Sequence, residues 1–110
     1  MVKIYVSKKL EKEITKRLSK KDADNAFIHI YSLKENPYKG DFITAVGNIV
    51  IKELKHGKFR FYFLHSNKLL KLITHEELEN EIIRFTEMSD KSKEQQRVIE
   101  RIKKDIRRSI

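Results

Sequence analysis

Arg60 is the residue whose position most clearly suggests chemistry, because it lies inside the otherwise aromatic run 59–63. A strand buries at least one face, so a charged side chain within it needs a partner or a purpose. The planar guanidinium of arginine grips two oxygen atoms of a carboxylate or a phosphate at once. Glu53, in the preceding apolar run, is the candidate carboxylate. Arg60 is therefore either half of a cross-strand ion pair or an anion-binding group.

The residues around Arg60 predict a β-hairpin. His56 and Gly57 form a two-residue turn in this interpretation, with glycine where a type I′ turn needs positive φ, and Glu53 then pairs with Arg60. One face of the hairpin carries Val50, Leu54, Phe59, Phe61 and Phe63. The other carries Ile51, Glu53, Arg60 and Tyr62. Lys52 falls on the first, apolar face, and we expect it to reach solvent at a sheet edge.

Periodic apolar residues predict the elements that position this hairpin. Residues 2–6 alternate as a strand, Ser7 is placed as the N-cap of a helix through Leu10, Ile14 and Leu18, and Asp22 as the N-cap of a second helix. The second helix ends before Asn36 and Pro37, since the residue before proline avoids the helical region. A short strand is predicted at 42–46, and a third strand of the meander at 68–73 after the hairpin.

The last third of the chain is predicted to end in an amphipathic helix. Residues 74–77 have capping-box spacing for a short helix, and 82–85 continue that helix or form a strand, which we favour. Ser92 and Gln95 form a second capping box. The inner face of the terminal helix carries Val98, Ile99, Ile102, Ile106 and Ile110. The resulting β-α-α-β-β-β-α order predicts an α+β fold, with an antiparallel sheet packed by two N-terminal helices and a C-terminal helix.

Composition limits the classes of function. A chain of 110 residues with 39% hydrophobic content is expected to form one domain, 1–110. The net charge of +9 favours polyanions, although it also fits a merely soluble surface. The chain has no cysteine, its four histidines lack metal-ligand spacing, and no window approaches the ~20 apolar residues of a membrane span. We expect a cytoplasmic protein without a metal or cofactor.

Four segments, taken in this order, resemble the RelE/ParE toxin superfamily, nearest to its RelE/HigB-like branch. Residues 33–41 resemble the family's helix exit, 52–55 its E-L-R strand, and 57–63 its G-x-[YF]-R-[VIF]-x-[YF] strand. The basic residues Lys91 and Lys93 resemble the run before its last helix. The resemblance covers nearly the whole chain and implies a RelE-like fold.

The resemblance implies the toxin of a type II toxin-antitoxin system, a ribosome-dependent mRNA endonuclease that inhibits translation. A general base would deprotonate the ribose 2′-hydroxyl, cations would stabilise the phosphorane, and an acid would protonate the leaving oxygen, without a metal. The implied partners are the ribosome, mRNA and an acidic antitoxin encoded nearby. A homodimer and a toxin-antitoxin heterotetramer stay open, as do the codon preference and the identity of the antitoxin.

The same resemblance assigns residues to the site. Arg60, Lys91, Lys93 and Glu53 are assigned to catalysis, and Lys55, His56, Lys58, Tyr62 and Arg84 to RNA contact. His56 and His65 are further candidates for the acid or base, if the site reaches the turn or the strand end. RelE has lysine where Glu53 stands, and its tyrosine near the start of the last helix has no clear counterpart. These departures keep open the alternative of a catalytically inactive protein-binding or RNA-binding module.

Overall fold

A computed structural model describes residues 2–70, 81–90 and 94–109 of the chain. Along the chain the described elements are β1 (Lys3–Val6), α1 (Lys8–Arg17), α2 (Lys20–Tyr31), β2 (Asp41–Val46), β3 (Ile49–His56), β4 (Phe59–Ser66), β5 (Ile82–Asp90) and α3 (Glu94–Ser109). Short 3-10 helices follow α2 at Ser32–Lys34 and β4 at Asn67–Leu70. No helix in the described ranges is long and apolar enough to cross a membrane.

One five-stranded sheet runs in the order β1-β5-β4-β3-β2. Neighbouring strands are antiparallel except for β1 and β5, which are parallel. A parallel pair needs a long connection, and here nearly the whole chain lies between its two strands. The predicted α+β class is confirmed, and so is the strand favoured at 82–85, which extends to Asp90.

Helices cover both faces of the sheet. Core 1 joins α1 and α2 to one face through the buried residues Leu10, Ile14, Ala23, Ala26, Ile30, Leu54, Phe61, Phe63, Ile83, Phe85 and Met88. Core 2 joins α3 to the other face through Ile51, Tyr62, Val98, Ile99, Ile102 and Ile106. The predicted inner face of the terminal helix is therefore confirmed for its described members, and the two faces of the hairpin are those that the alternation predicts.

The pairing register of the hairpin differs from the prediction. Gly57 and Lys58 form the turn, so His56 pairs with Phe59, and Glu53 pairs with Tyr62 instead of Arg60. Gly57 has φ +60°, and no described residue other than glycine has positive φ. Positive φ at the first central position alone is the requirement of a type II′ turn, whereas the predicted type I′ turn needs it at both. The error amounts to two residues in pairing, which leaves every side chain on its predicted face.

Hydroxyl side chains cap the first two helices. Ser7 caps α1 as predicted, and its Oγ accepts a hydrogen bond from the backbone N–H of Leu10 at 3.1 Å. The predicted cap of α2 at Asp22 is wrong. Ser19 is the cap, and its Oγ accepts from the N–H of Asp22 at 3.2 Å. Asp22 instead places a negative charge in the first turn, where the helix dipole favours it.

Two further predictions need correction. Residues 68–70 belong to a 3-10 helix and not to a strand, while 71–73 and the predicted short helix after them lie outside the described residues. Lys52 does not reach solvent at a sheet edge, because β3 pairs with β2 and is not an edge strand. The residue is 4% exposed, and its Nζ donates to the carbonyl of Tyr38 at 3.0 Å. The turn before β2 thus satisfies this buried cation, whose pKa burial lowers.

Candidate functional site

The sheet face beneath the start of α3 brings together three of the predicted site residues. Glu53 and Tyr62 are register partners, and Arg60 follows on the same face near the end of the hairpin. Ser89 of β5 is the register partner of Arg60, and Gln95 stands in the first turn of α3. These five residues are called the hairpin cluster. Strand alternation places the first four, and the packing of α3 adds the fifth.

Arg60 has no carboxylate partner among the described residues. Its Nη1 donates to the carbonyls of Gly57 at 3.2 Å and Phe59 at 3.0 Å, both at the hairpin end. Its Nε is buried and has no hydrogen-bond partner in the described part of the chain. The half-buried guanidinium therefore contacts backbone carbonyls and no counter-charge in the described part of the chain. The accessible edge of the guanidinium can receive a phosphate oxygen, because arginine presents several donors in one plane.

Glu53 is held by α3 and not by Arg60. It is buried, and its Oε2 accepts a hydrogen bond from the side-chain amide of Gln95 at 2.9 Å. The register explains the missing ion pair, because Tyr62 takes the position opposite Glu53 that the predicted turn gives to Arg60. The structural alternative for Arg60, a cross-strand ion pair with Glu53, is therefore absent from this part of the molecule.

Tyr62 is a packing residue in this structure. Its ring is fully buried in core 2, and its hydroxyl lies 2.8 Å from the Oγ of Ser89. Burial raises the pKa of Tyr62, so the hydroxyl stays protonated at neutral pH. The ring has no surface to offer to RNA while α3 covers it, which contradicts its assignment as a direct RNA contact in this conformation.

The basic residues around the hairpin end point to different sides. Lys55 is exposed on the Arg60 face and pairs with Asp41 at 3.5 Å, a contact that solvent screens. Lys58 is exposed in the turn, with its ammonium 5.3 Å from the ring centroid of Phe59. His56 lies on the opposite face, where its Nδ1 is 3.0 Å from the Nδ1 of His29 in α2. The sheet therefore separates His56 from Arg60.

Arg84 lies on the Arg60 face but not in the hairpin cluster. It pairs with Leu64 on β4. Leu64 is four positions along that strand from Arg60, which corresponds to roughly 13 Å. His65 is on the other face, buried, with Nδ1 bonded to the carbonyl of Ser66 at 2.7 Å. Burial lowers the pKa of His65, and the sheet separates its side chain from that of Arg60. Lys91 and Lys93 lie outside the described residues.

Two ion-pair groups that the sequence reading missed hold α3 against the rest of the fold. Glu87 of β5, buried, binds Lys9 of α1 at 3.0 Å and Arg101 of α3 at 3.1 Å. Arg17 of α1 binds Glu94 of α3 through both of its terminal nitrogens, at 3.0 and 3.1 Å, and thereby lowers the pKa of Glu94. These pairs tie α3 to β5 and to α1. In the sequence, the only signal for them is that Glu87 interrupts the apolar residues of its strand.

The hairpin cluster can bind an anion and hold a carboxylate beside it. Arg60 supplies a guanidinium without a carboxylate partner in the described part of the chain, Lys55 and Lys58 add positive charge at the same end, and Glu53 supplies an acceptor. Within the described ranges, no three His, Asp or Glu side chains are grouped to hold a metal ion.

Comparisons with known proteins bear on the fold. No protein family and no curated protein matches the chain in sequence. Among solved structures, a chain of the archaeal RelE–RelB complex from Pyrococcus horikoshii OT3 is similar, with a TM-score of 0.61 and 12% identity. The match covers 84% of this chain and 97% of that one. The chain therefore has a RelE-like fold.

Proposed function

We propose that this protein is the toxin of a toxin-antitoxin system and cleaves mRNA on the ribosome. The observation that carries the proposal is Arg60: within a RelE-like fold, it occupies the sheet with an unpartnered Nε and no carboxylate among the described residues. A purely structural arginine in a strand is expected to neutralise its charge. An arginine that binds a phosphate of the substrate needs no such partner in the free protein.

Each residue of the proposed reaction has one task. Arg60 stabilises the charge that develops on the phosphate oxygens, and Lys91 and Lys93 assist it from the segment before α3. Glu53 acts as the base toward the ribose 2′-hydroxyl once an RNA strand replaces its contact with Gln95. The 2′-oxygen then attacks the phosphorus, the bond from phosphorus to the 5′-oxygen breaks, and the leaving 5′-oxygen takes a proton from water. Lys55 and Lys58 hold neighbouring phosphates. We place the protein, by this proposal, in the cytoplasm with its ribosomes.

Controlled expression in a host with compatible ribosomes tests the proposal. We expect growth and translation to stop and translated mRNAs to be cut within their coding regions, whereas Arg60→Ala should abolish both effects. Lys12→Ala, which removes an equal charge from an exposed position on α1, is the matched control and should behave as wild type. Normal growth with intact transcripts at high expression would contradict the nuclease proposal and favour the alternative of a catalytically inactive protein-binding or RNA-binding module.

The proposed partner is an acidic antitoxin. The solved complex pairs a RelE chain with RelB, and the net charge of +9 on this chain would speed encounter with an acidic protein. Purification from the native host at low salt should recover a small acidic protein with the chain, and raising the salt should slow their association. Repeated recovery of the chain alone would argue against this partner.

A further inference from the structure

The margin of the sheet formed by β1 and β5 presents an aromatic ring and a cation to solvent side by side. Tyr5 and Arg84 are register partners, and the guanidinium carbon of Arg84 lies 5.7 Å from the ring centroid of Tyr5. Tyr5 is 49% exposed, and Arg84 is exposed as well. The next register pair on this face, Lys3 and Ile82, is also exposed.

α3 meets β5 near the end of that strand, at Glu87 and Asp90. Arg84 and Ile82, nearer the start of β5, line an open cavity that Ile102, Asp105 and Ile106 of α3 also border. Tyr5, about half exposed, belongs to neither core, so its position next to an arginine does not serve one. We call Tyr5, Arg84 and Lys3 the stacking platform.

Positive charge flanks the stacking platform. Arg101 binds Glu87 of β5, which turns one ridge of α3 toward this strand. Arg97, Lys104 and Arg108 follow at helical spacing on the same ridge, and all are exposed. Lys9 and Arg101 already neutralise the carboxylate of Glu87, and Asp105 adds one negative charge beside Arg84. The other cations of the ridge outnumber it, so the ridge retains an excess of positive charge.

We propose that the stacking platform binds an unpaired base of single-stranded RNA, with Lys3 and the α3 ridge contacting the adjoining phosphates. A base stacks on an exposed aromatic ring whatever its identity, and arginine adds a cation–π contribution. Duplex RNA hides its base faces, so the platform selects unpaired strands. The platform lies roughly 13 Å from Arg60 along the strand direction and one to two strands across the sheet. It extends the function proposed above and rests on it.

Binding of a fluorescent single-stranded oligoadenylate tests the platform, with every chain carrying Arg60→Ala so that the probe stays intact. Tyr5→Thr, which keeps a β-branched residue in the strand, should weaken binding about tenfold, and Tyr5→Phe should stay within about twofold. Tyr38→Thr is the matched control, because Tyr38 is 48% exposed and lies in the turn before β2. It should bind as the parent does.

Two further arms keep the test decisive. Arg84→Gln should also weaken binding, and it replaces Tyr5→Thr as the deciding variant if circular dichroism shows Tyr5→Thr unfolded. A probe with a photoreactive base should crosslink to the peptide that contains Tyr5. The proposal is overturned if a folded Tyr5→Thr chain binds like Tyr38→Thr, or if duplex RNA of the same sequence binds more tightly. Neither outcome depends on cleavage, so failure here leaves the growth assay to judge the nuclease proposal.

Discussion

The Nδ1 atoms of His29 and His56 lie 3.0 Å apart and join α2 to the end of β3. One ring must donate and the other accept, so at least one of the two is neutral in this contact. The ring of His56 also lies 5.7 Å from that of Phe61. The pair thereby anchors, from the N-terminal helices, the hairpin end that carries Arg60 on its other face.

The histidine pair makes stability depend on pH. Burial lowers the pKa of His29 below its ordinary 6.5, and the positive charges of Lys39 and His56 act in the same direction. Below that ordinary value the unfolded chain binds more protons than the folded one, so the free energy of unfolding falls as the pH decreases. Thermal melts from about pH 7.5 to about pH 5 should show a falling Tm.

His29→Asn is the matching variant for this pH series. Its Tm should fall less with decreasing pH than that of the wild type, although some dependence remains, because burial also lowers the pKa of His65. The pH series stops at about pH 5 because the pKa of Glu94 is lowered, so that this carboxylate stays ionised throughout the series. An equal loss of Tm in both chains would contradict the role given to His29.

Gly40 and Gly57 should respond differently to alanine. Gly57 has φ +60° with no atom within 4 Å of an added Cβ, so Gly57→Ala should cost about 1 kcal/mol of unfolding free energy. At Gly40, with φ +106°, an added Cβ would lie 2.7 Å from Cζ of Phe63, so Gly40→Ala should cost about 3 kcal/mol or more. Urea unfolding measures both, and equal costs would show that Phe63 moves freely.

Tyr62→Phe separates packing from RNA contact. Loss of the hydroxyl leaves the buried Oγ of Ser89 without its partner, which should lower the free energy of unfolding by about 1 to 2 kcal/mol. Binding to ribosomes at a temperature where the variant is folded should not change, since the ring is buried. A large loss of ribosome binding without a decrease in the free energy of unfolding would show that Tyr62 contacts RNA.

Arg60→Ala should separate catalysis from binding. Removal of one group that stabilises developing negative charge costs about a hundredfold or more in rate, so cleavage on bound ribosomes should fall by that factor. Binding should change far less, because many cations share the phosphate contacts. Arg60→Lys keeps the charge but loses the planar fork and should also be slow. Cleavage at the normal rate by a folded Arg60→Ala chain would show that the site is assigned wrongly.

Local patterns in the sequence determined the elements and their faces. The alternation of Leu54, Phe59, Phe61 and Phe63 against Ile51 and Tyr62 predicts which side chains share a face, and the structure agrees. That prediction survived an error of two residues in register, because the side-chain period of a strand is two. The spacing of Val98, Ile99, Ile102 and Ile106 likewise sufficed for the buried face of α3.

Only tertiary structure decided how these elements meet. A turn can begin at Gly57 or one residue before it, and the choice made here places Glu53 opposite Tyr62 and leaves Arg60 without the carboxylate that the sequence suggested. The parallel pairing of β1 with β5 brings Tyr5 beside Arg84, although the two residues are 79 positions apart in the sequence. Such contacts depend on which strands pair and on what covers them, and no local pattern encodes either.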